Sequence, residues 1–131
     1  VIVIGAGPAG LAACLGLSKL CEKVLLVEKH AQFEARGASF GLAPNGRKAL
    51  EELHPEAWSK LEEVGIPTPD KGLLLPWWEM RDTLLDLVKG CENVELHTGE
   101  KFVDILETSA DGEETCVMVT FESTLKLEGA F

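Results

Sequence analysis

The chain has 131 residues and a mass of 14.2 kDa, enough for one domain, and its 46% apolar and 26% charged residues suit a soluble core with a solvated surface. Lys and Arg total 12 against 22 Asp and Glu, a net charge of −10, which excludes wrapping nucleic acid or docking on an anionic membrane, since both want a basic face. The charge is lopsided: residues 1–50 carry a net of +3 and residues 51–131 a net of −13, so an anionic ligand is expected against the N-terminal third.

Residues 1–18 hold no charge, but Gly5, Gly7, Pro8 and Gly10 interrupt them. A bilayer-spanning helix needs about 20 apolar residues of regular helix, so no membrane segment is expected. No basic stretch precedes the apolar one, as a signal peptide would require. The chain opens inside a strand without an initiator Met, and a piece of something longer is expected, with any targeting segment upstream.

Val1-Ile2-Val3-Ile4 reads as a buried parallel strand, apolar on both faces. A glycine-rich turn follows from Gly5 to Gly10. A helix is expected from Pro8 to Leu20, with Leu11, Cys14, Leu15 and Leu17 as its apolar stripe. Val24-Leu25-Leu26-Val27 is a second strand ending at Glu28, which completes a right-handed βαβ unit. Residues 29–43 read as loop. Helices are expected over Pro44–Leu53 and Pro55–Val64, with Trp58 and Leu61 inward and Gly65 as the stop. Residues 66–78, with Pro67, Pro69 and Pro76, read as mostly irregular. Glu79–Lys89 reads as a helix and Val94–Thr98 as a strand. Phe102–Thr108 and Thr115–Glu122 flank an Asp111-Gly112 turn, a hairpin signal, and a third short strand is expected over Leu125–Leu127.

Cys14, Cys21, Cys91 and Cys116 include no CxxC pair and no His at ligand spacing, so buried free thiols are expected rather than a zinc site or disulfides. That cysteine usage fits a reducing compartment such as the cytoplasm. His30, His54 and His97 read as surface or loop residues, with His30 near enough to Glu28 to face an adenosine. Trp77-Trp78 reads first as core and staple packing, and as a pair that could stack near a flavin or a substrate. The pairs Glu51-Glu52, Glu62-Glu63 and Glu113-Glu114 read as solvated faces.

Gly5-Ala6-Gly7-Pro8-Ala9-Gly10 is GxGxxG. Alone the pattern is weak, but here it leaves a buried strand and opens a helix. Gly5 permits the tight turn, Gly7 lets the backbone approach a pyrophosphate, and Gly10 lets the helix pack on the strands. Free amides and the positive dipole end of the helix then hold the phosphate. Glu28 lies 18 residues after Gly10 and can accept hydrogen bonds from both ribose hydroxyls of an adenosine. It would repel a 2′-phosphate, which disfavours NADP in this site.

GAGPAGL at residues 5–11, VLLVEKH at 24–30 and RGASFGLAPNGRKALEEL at 36–53 resemble the FAD-dependent aromatic-ring hydroxylases. These are single-component flavoprotein monooxygenases related to para-hydroxybenzoate hydroxylase and similar to salicylate hydroxylase-like and zeaxanthin epoxidase-like enzymes. The resemblance implies an α/β fold: a glutathione-reductase-type, Rossmann-like FAD-binding domain with a parallel βαβ core and an antiparallel hairpin or meander. It implies FAD as cofactor, with the first motif on the ADP half. By the same resemblance Gly5, Gly7, Pro8, Ala9 and Gly10 match the phosphate turn, and Glu28 the ribose acid with Lys29 beside it. Arg36, Gly37 and Ala38 match a segment lying against the cofactor, Arg81 a helix-borne residue reaching the flavin side, and Val103 a position near the adenine that is strand core. An arginine fork suits pyrophosphate oxygens, though Arg36 could equally be an exposed loop residue and Arg81 the partner of an acid on its own helix.

The family's later Asp-Gly motif has one candidate here, Ala110-Asp111-Gly112, and its setting reads as a hairpin tip. Residues 1–131 are therefore expected to be the N-terminal part of a single FAD-binding domain, with the substrate domain and the C-terminal half of the FAD site outside this chain. The expected partners are FAD and, for the parent protein, NAD(P)H and a small organic substrate. The resemblance implies insertion of one oxygen atom of O2 into that substrate. It leaves open another FAD oxidoreductase of the same fold, geranylgeranyl reductase-like or amine oxidase-like, and a non-catalytic nucleotide-binding fragment.

Overall fold

The structure is a computed structural model and describes residues 1–108, 116–123 and 126–130. Strand β1 (Ile2–Ile4), helix α1 (Pro8–Leu17) and strand β2 (Val24–Glu28) form the expected βαβ unit, and β1 pairs parallel with β2 in the register Ile2↔Leu25, Val3↔Leu26, Ile4↔Val27. After β2 the chain leaves the sheet and returns with β6 (Val94–Thr98), parallel to the other side of β2, with Val24↔Val94 through Glu28↔Thr98 in register. The order is β1-β2-β6, so β2 is central.

Its side chains alternate with period two. Val24 and Leu26 face the helical core while Val27 faces the opposite side, and all three are buried. Both faces are covered, which is why the sequence of β2 is continuously apolar. On the helical side α1 packs against α4 (Trp77–Lys89), with Leu11, Cys14, Leu15, Leu84, Leu85 and Val88 in one cluster. On the other side Val117, Val119 and Phe121 of β8 cover Val27 and Ile2. The uncharged run 1–18 is thus divided between β1, a turn and α1, and no helix among the described residues is long and apolar enough to cross a membrane.

Helix α1 ends at Leu17 rather than Leu20. Lys19 N–H then donates to Gly16 O and Leu20 N–H to Leu17 O, and the Asn93 amide donates to Ser18 O and Cys21 O at 2.9 and 2.8 Å, which turns the chain into β2. Helix α2 (Pro44–Leu53) matches expectation, α3 (Ala57–Val64) starts two residues late, and Trp58 and Leu61 point inward as expected.

Two stretches differ more. Within the expected loop 29–43 lies β3 (Ser39–Leu42), and within the expected irregular stretch 66–78 lie β4 (Ile66–Pro67) and β5 (Leu73–Pro76). They form an antiparallel sheet of order β3-β5-β4, in which Leu42 pairs with Leu73. The prolines are tolerated because they stand at strand ends and on an edge strand. Trp77 and Trp78 belong to α4 itself, which starts two residues earlier than expected because Pro76 serves as its extended N-cap.

The last sheet is antiparallel, β7 (Phe102–Thr108), β8 (Cys116–Phe121) and β9 (Lys126–Ala130), in that order. Strands β7 and β8 agree with the expected hairpin arms to within a residue, and β9 runs three residues past the expected end at Leu127. The Asp111-Gly112 turn, Ala110, Glu113-Glu114 and Leu125 lie outside the described residues. Val103, expected in the strand core, is 56% exposed, because β7 is an edge strand whose neighbours Ile105 and Leu106 are also open.

Candidate cofactor site

The turn between β1 and α1 is fixed by backbone geometry. Gly5 has φ +99°, a left-handed conformation that L side chains rarely adopt, and its N–H donates to Val27 O at 2.7 Å. A Cβ at Gly10 would stand 1.9 Å from Gly5 O, so the start of α1 lies against the turn too closely for any side chain there. Gly7 is different. It is the extended N-cap of α1, and a Cβ there would meet only the rim of Trp77, at an ordinary 3.7 Å. The room beside Gly7 is not used by the protein's own packing. With Pro8 at the first helical position, the first hydrogen bond of α1 runs from Leu11 N–H to Gly7 O, so the amides of Gly7, Ala9 and Gly10 have no acceptor within the helix.

At the end of β2, Glu28 is only 8% exposed. Its Oε2 accepts the N–H of Ala6 at 2.8 Å and its Oε1 the N–H of His30 at 2.9 Å. Each oxygen spends one lone pair on the backbone and keeps one for another donor, which suits the two hydroxyls of a ribose. The carboxylate lines a cleft of about 500 Å³ that also touches Ala6, Gly7, Lys29, His30 and Gln32, with Phe33, Glu34, Arg36, Trp77 and Arg81 closing it.

Arg81 sits 5% exposed in the wall, on α4. Its Nη1 donates to Glu34 O at 3.0 Å and its Nε to Asp82 Oδ1 at 2.8 Å, and the guanidinium carbon lies 5.1 Å from the Phe33 ring and 5.5 Å from the Trp77 ring. Nη2 stands 2.7 Å from the same Asp82 oxygen but is not aligned for a hydrogen bond, so a buried donor group is left without a directed partner. An acid on its own helix does pair with Arg81, and Arg81 also reaches the cleft. Arg36 is exposed and ion-paired to Glu34 Oε2 at 2.5 Å, at the mouth.

The structure therefore brings together Gly7, Glu28, Lys29, Arg36 and Arg81 around one opening, with Gly5, Pro8, Ala9 and Gly10 in the adjoining turn. Gly37 and Ala38 back the wall: Gly37, at φ +121°, lies against Trp77, and Ala38 O accepts the N–H of Trp77 at 3.1 Å. Val103 is not among the lining residues. Sequence reasoning missed Gln32, Phe33 and Glu34, which carry no motif; of its two readings for Trp77, core packing gives way, since the ring is 38% exposed on the cleft wall. His30 lines the cleft, as its place next to Glu28 suggested. His54 lies half-buried at the end of α2 and His97 Nε2 stands 3.0 Å from Glu95 Oε1, both away from it.

Among the described residues no group of His, Cys, Asp and Glu could hold a metal ion, and Cys14, Cys21 and Cys91 are free thiols. Cys14 is buried and Cys21 and Cys91 are half-buried. An unused space beside Gly7, unpaired first-turn amides, spare lone pairs on Glu28 and a buried arginine nitrogen fit the diphosphate and ribose of a dinucleotide.

A family model described as an FAD binding domain matches residues 1–60. The chain is 31% identical over 103 residues to 3-hydroxybenzoate 6-hydroxylase of Klebsiella oxytoca, a match that covers 79% of this chain and 23% of that protein. Among solved structures it superposes on the Diels-Alderase PyrE3 of pyrroindomycin biosynthesis with a TM-score of 0.81 at 16% identity, covering 99% of this chain and 30% of that one. It superposes on CtdE in complex with FAD with a TM-score of 0.79 at 19% identity, covering 98% and 35%. The chain thus spans about a quarter to a third of the length of these relatives. These matches support an FAD-dependent hydroxylase family for this chain, with FAD as the cofactor.

Proposed function

We propose that residues 1–131 are the N-terminal part of one FAD-binding domain and hold the ADP moiety of the cofactor for a monooxygenase. The carrying observation is the convergence of the Gly7 turn, the spare lone pairs of Glu28 and the buried Arg81 on one cleft. In this reading the amides of Gly7, Ala9 and Gly10 take the diphosphate, Glu28 takes the adenosine ribose, and Arg36 and Arg81 neutralise phosphate charge. Bound FAD supplies the redox chemistry that inserts one oxygen atom of O2 into an organic substrate, with NAD(P)H as reductant. The chain's own residues bind and orient the cofactor.

The similarity to a hydroxybenzoate hydroxylase supports an aromatic substrate, with a polyene as the further class to test. The buried carboxylate of Glu28 disfavours a 2′-phosphate at this site. NAD(P)H and the substrate are accordingly assigned to parts of the parent protein outside this chain. The 131 residues alone are expected to bind ADP and FAD weakly and to turn nothing over.

The experiment has two parts. Calorimetry of the chain with ADP and FAD is expected to show binding at the cleft, weakened in Glu28→Ala. Protein made from the complete reading frame is expected to purify yellow with FAD and to consume O2 with NAD(P)H when 3-hydroxybenzoate or a related aromatic acid is supplied. A colourless protein that does not take up FAD overturns the reading.

A further inference from the structure

Trp77 makes more contacts around the cleft than a wall residue needs. It is the first residue of α4, behind the fixed Pro76 cap at φ −64°, ψ 145°. Its N–H bonds Ala38 O at 3.1 Å. Its Cβ stands 3.3 Å from where a Cβ at Gly37 would be, and the far edge of its ring, Cζ2, 3.7 Å from where one at Gly7 would be. One helical turn on, Arg81 lies over the same ring. One side chain therefore stands beside the glycine turn, packs at the 36–38 segment and lies under the buried arginine.

The acid beside Arg81 cannot fix its guanidinium alone. Asp82 is the next residue on the helix, its side chain is 43% exposed, and it leaves Nη2 without a directed bond. The Glu34 carbonyl on Nη1 and the rings of Trp77 and Phe33 supply the remaining restraint, since a guanidinium stacked on a ring keeps its plane. An indole 38% exposed at this point is not core packing.

We propose that Trp77 is a positioning residue: it orients Arg81 toward a bound diphosphate and sets the spacing between that arginine and the Gly7 turn. This inference rests on the reading of the cleft as an ADP site. It concerns the diphosphate and not the adenosine, which Glu28 holds on its own.

The test compares Kd for ADP and for adenosine, by calorimetry, with thermal melts run alongside. Trp77→Leu is expected to weaken ADP about 5- to 10-fold and adenosine less than about 2-fold, while Trp77→Phe recovers most of the ADP affinity. In an Arg81→Met background Trp77→Leu is expected to cost nothing further. Phe33→Leu, which removes the second ring and leaves the Trp77 contacts to both glycines in place, is expected to give the same ADP-selective loss. If Trp77→Leu fails to fold, Trp77→Met, which keeps bulk but removes the ring, takes its place in the same comparison. Equal loss of ADP and adenosine, failure of Trp77→Phe to rescue, or a full loss persisting without Arg81 overturns the positioning role. Wild-type protein that binds neither ADP nor FAD overturns the cofactor reading itself, whereas normal wild-type binding with an indifferent Trp77→Leu overturns this inference alone.

Discussion

Glu28 accepts the backbone N–H of Ala6 at 2.8 Å, so the last residue of β2 is tied to the turn that leaves β1. The carboxylate that the proposed reading gives to the ribose also holds the turn after β1 in shape. Ala6 is 1% exposed, and its amide has no water to fall back on.

Glu28→Ala is therefore expected to reduce two properties at once. An unsatisfied buried amide costs about 1–3 kcal/mol, so the urea midpoint should fall by a corresponding amount. Binding of both ADP and adenosine should weaken if, as proposed, Glu28 holds the ribose. Glu28→Gln keeps one carbonyl oxygen but turns an NH2 toward one of the two amides, and is expected to lie between the wild type and Glu28→Ala in both measurements. Unchanged stability in Glu28→Ala would show that the Ala6 bond does not form in solution.

The three motif glycines are expected to separate folding from binding. At Gly10 an added methyl meets the Gly5 carbonyl at 1.9 Å, which only a backbone shift relieves, so Gly10→Ala should be the most destabilising of the three. Gly5→Ala meets no atom but must hold φ +99°, at a cost of about 1–3 kcal/mol. Among the described residues Gly7→Ala meets only Trp77, at 3.7 Å, so its melting temperature should stay near that of the wild type, while ADP affinity should drop if the diphosphate lies there as proposed. Melts and ADP titrations of the three variants check the order. A strongly destabilised Gly7→Ala would mean that this glycine serves the fold instead.

How much of this was legible in the sequence depends on chain distance. The glycine turn, α1 and Glu28 were readable because each is dictated by residues within about thirty positions: a β-branched run, a phosphate-sized turn, an apolar stripe, a second apolar run and one acid. Arg81 could be picked out, but not what fixes it, since Glu34 lies 47 residues away and Phe33 and Trp77 carry no signal of their own. Strand β3 was hidden because Ser39-Phe40-Gly41-Leu42 has only two apolar residues and becomes a strand by pairing with β5. Val103 read as core because β-branched residues in strands are usually covered, and only the sheet order reveals an open edge.

The same long reach makes Asn93 a stabilising residue that nothing local announces. Its amide donates to Ser18 O and Cys21 O, 75 and 72 residues away, and closes the turn between α1 and β2. Asn93→Ala removes both bonds and leaves two half-buried carbonyls at the end of α1, with an expected loss of about 1–3 kcal/mol. The cleft lies at the opposite end of β2, beside Glu28, so ADP affinity should be unchanged. Equilibrium unfolding together with ADP titration checks both halves, and a variant as stable as the wild type would show that water replaces the amide at no cost.

Cys14 gives a pH dependence with a definite sign. Burial in the core, and then the neighbouring Cys91, push its thiol from 9.0 up to about 11. As pH rises, the unfolded chain gives up this proton first, near 9, while the folded chain keeps it until about 11. The contribution to stability is thus fully present below pH 9 and is lost through the interval from 9 to 11. Cys14→Ala removes that titration. Wild type and variant should therefore differ in urea midpoint by a constant amount between pH 7 and 8.5, and the difference should shift toward the variant as pH approaches 10.5. In the native protein Cys14 should also be the slowest of Cys14, Cys21 and Cys91 to alkylate at pH 8, because it is buried and its thiolate scarce. A difference between the two proteins that stays flat across pH 8–10.5 would show that Cys14 ionises alike in the folded and unfolded chains.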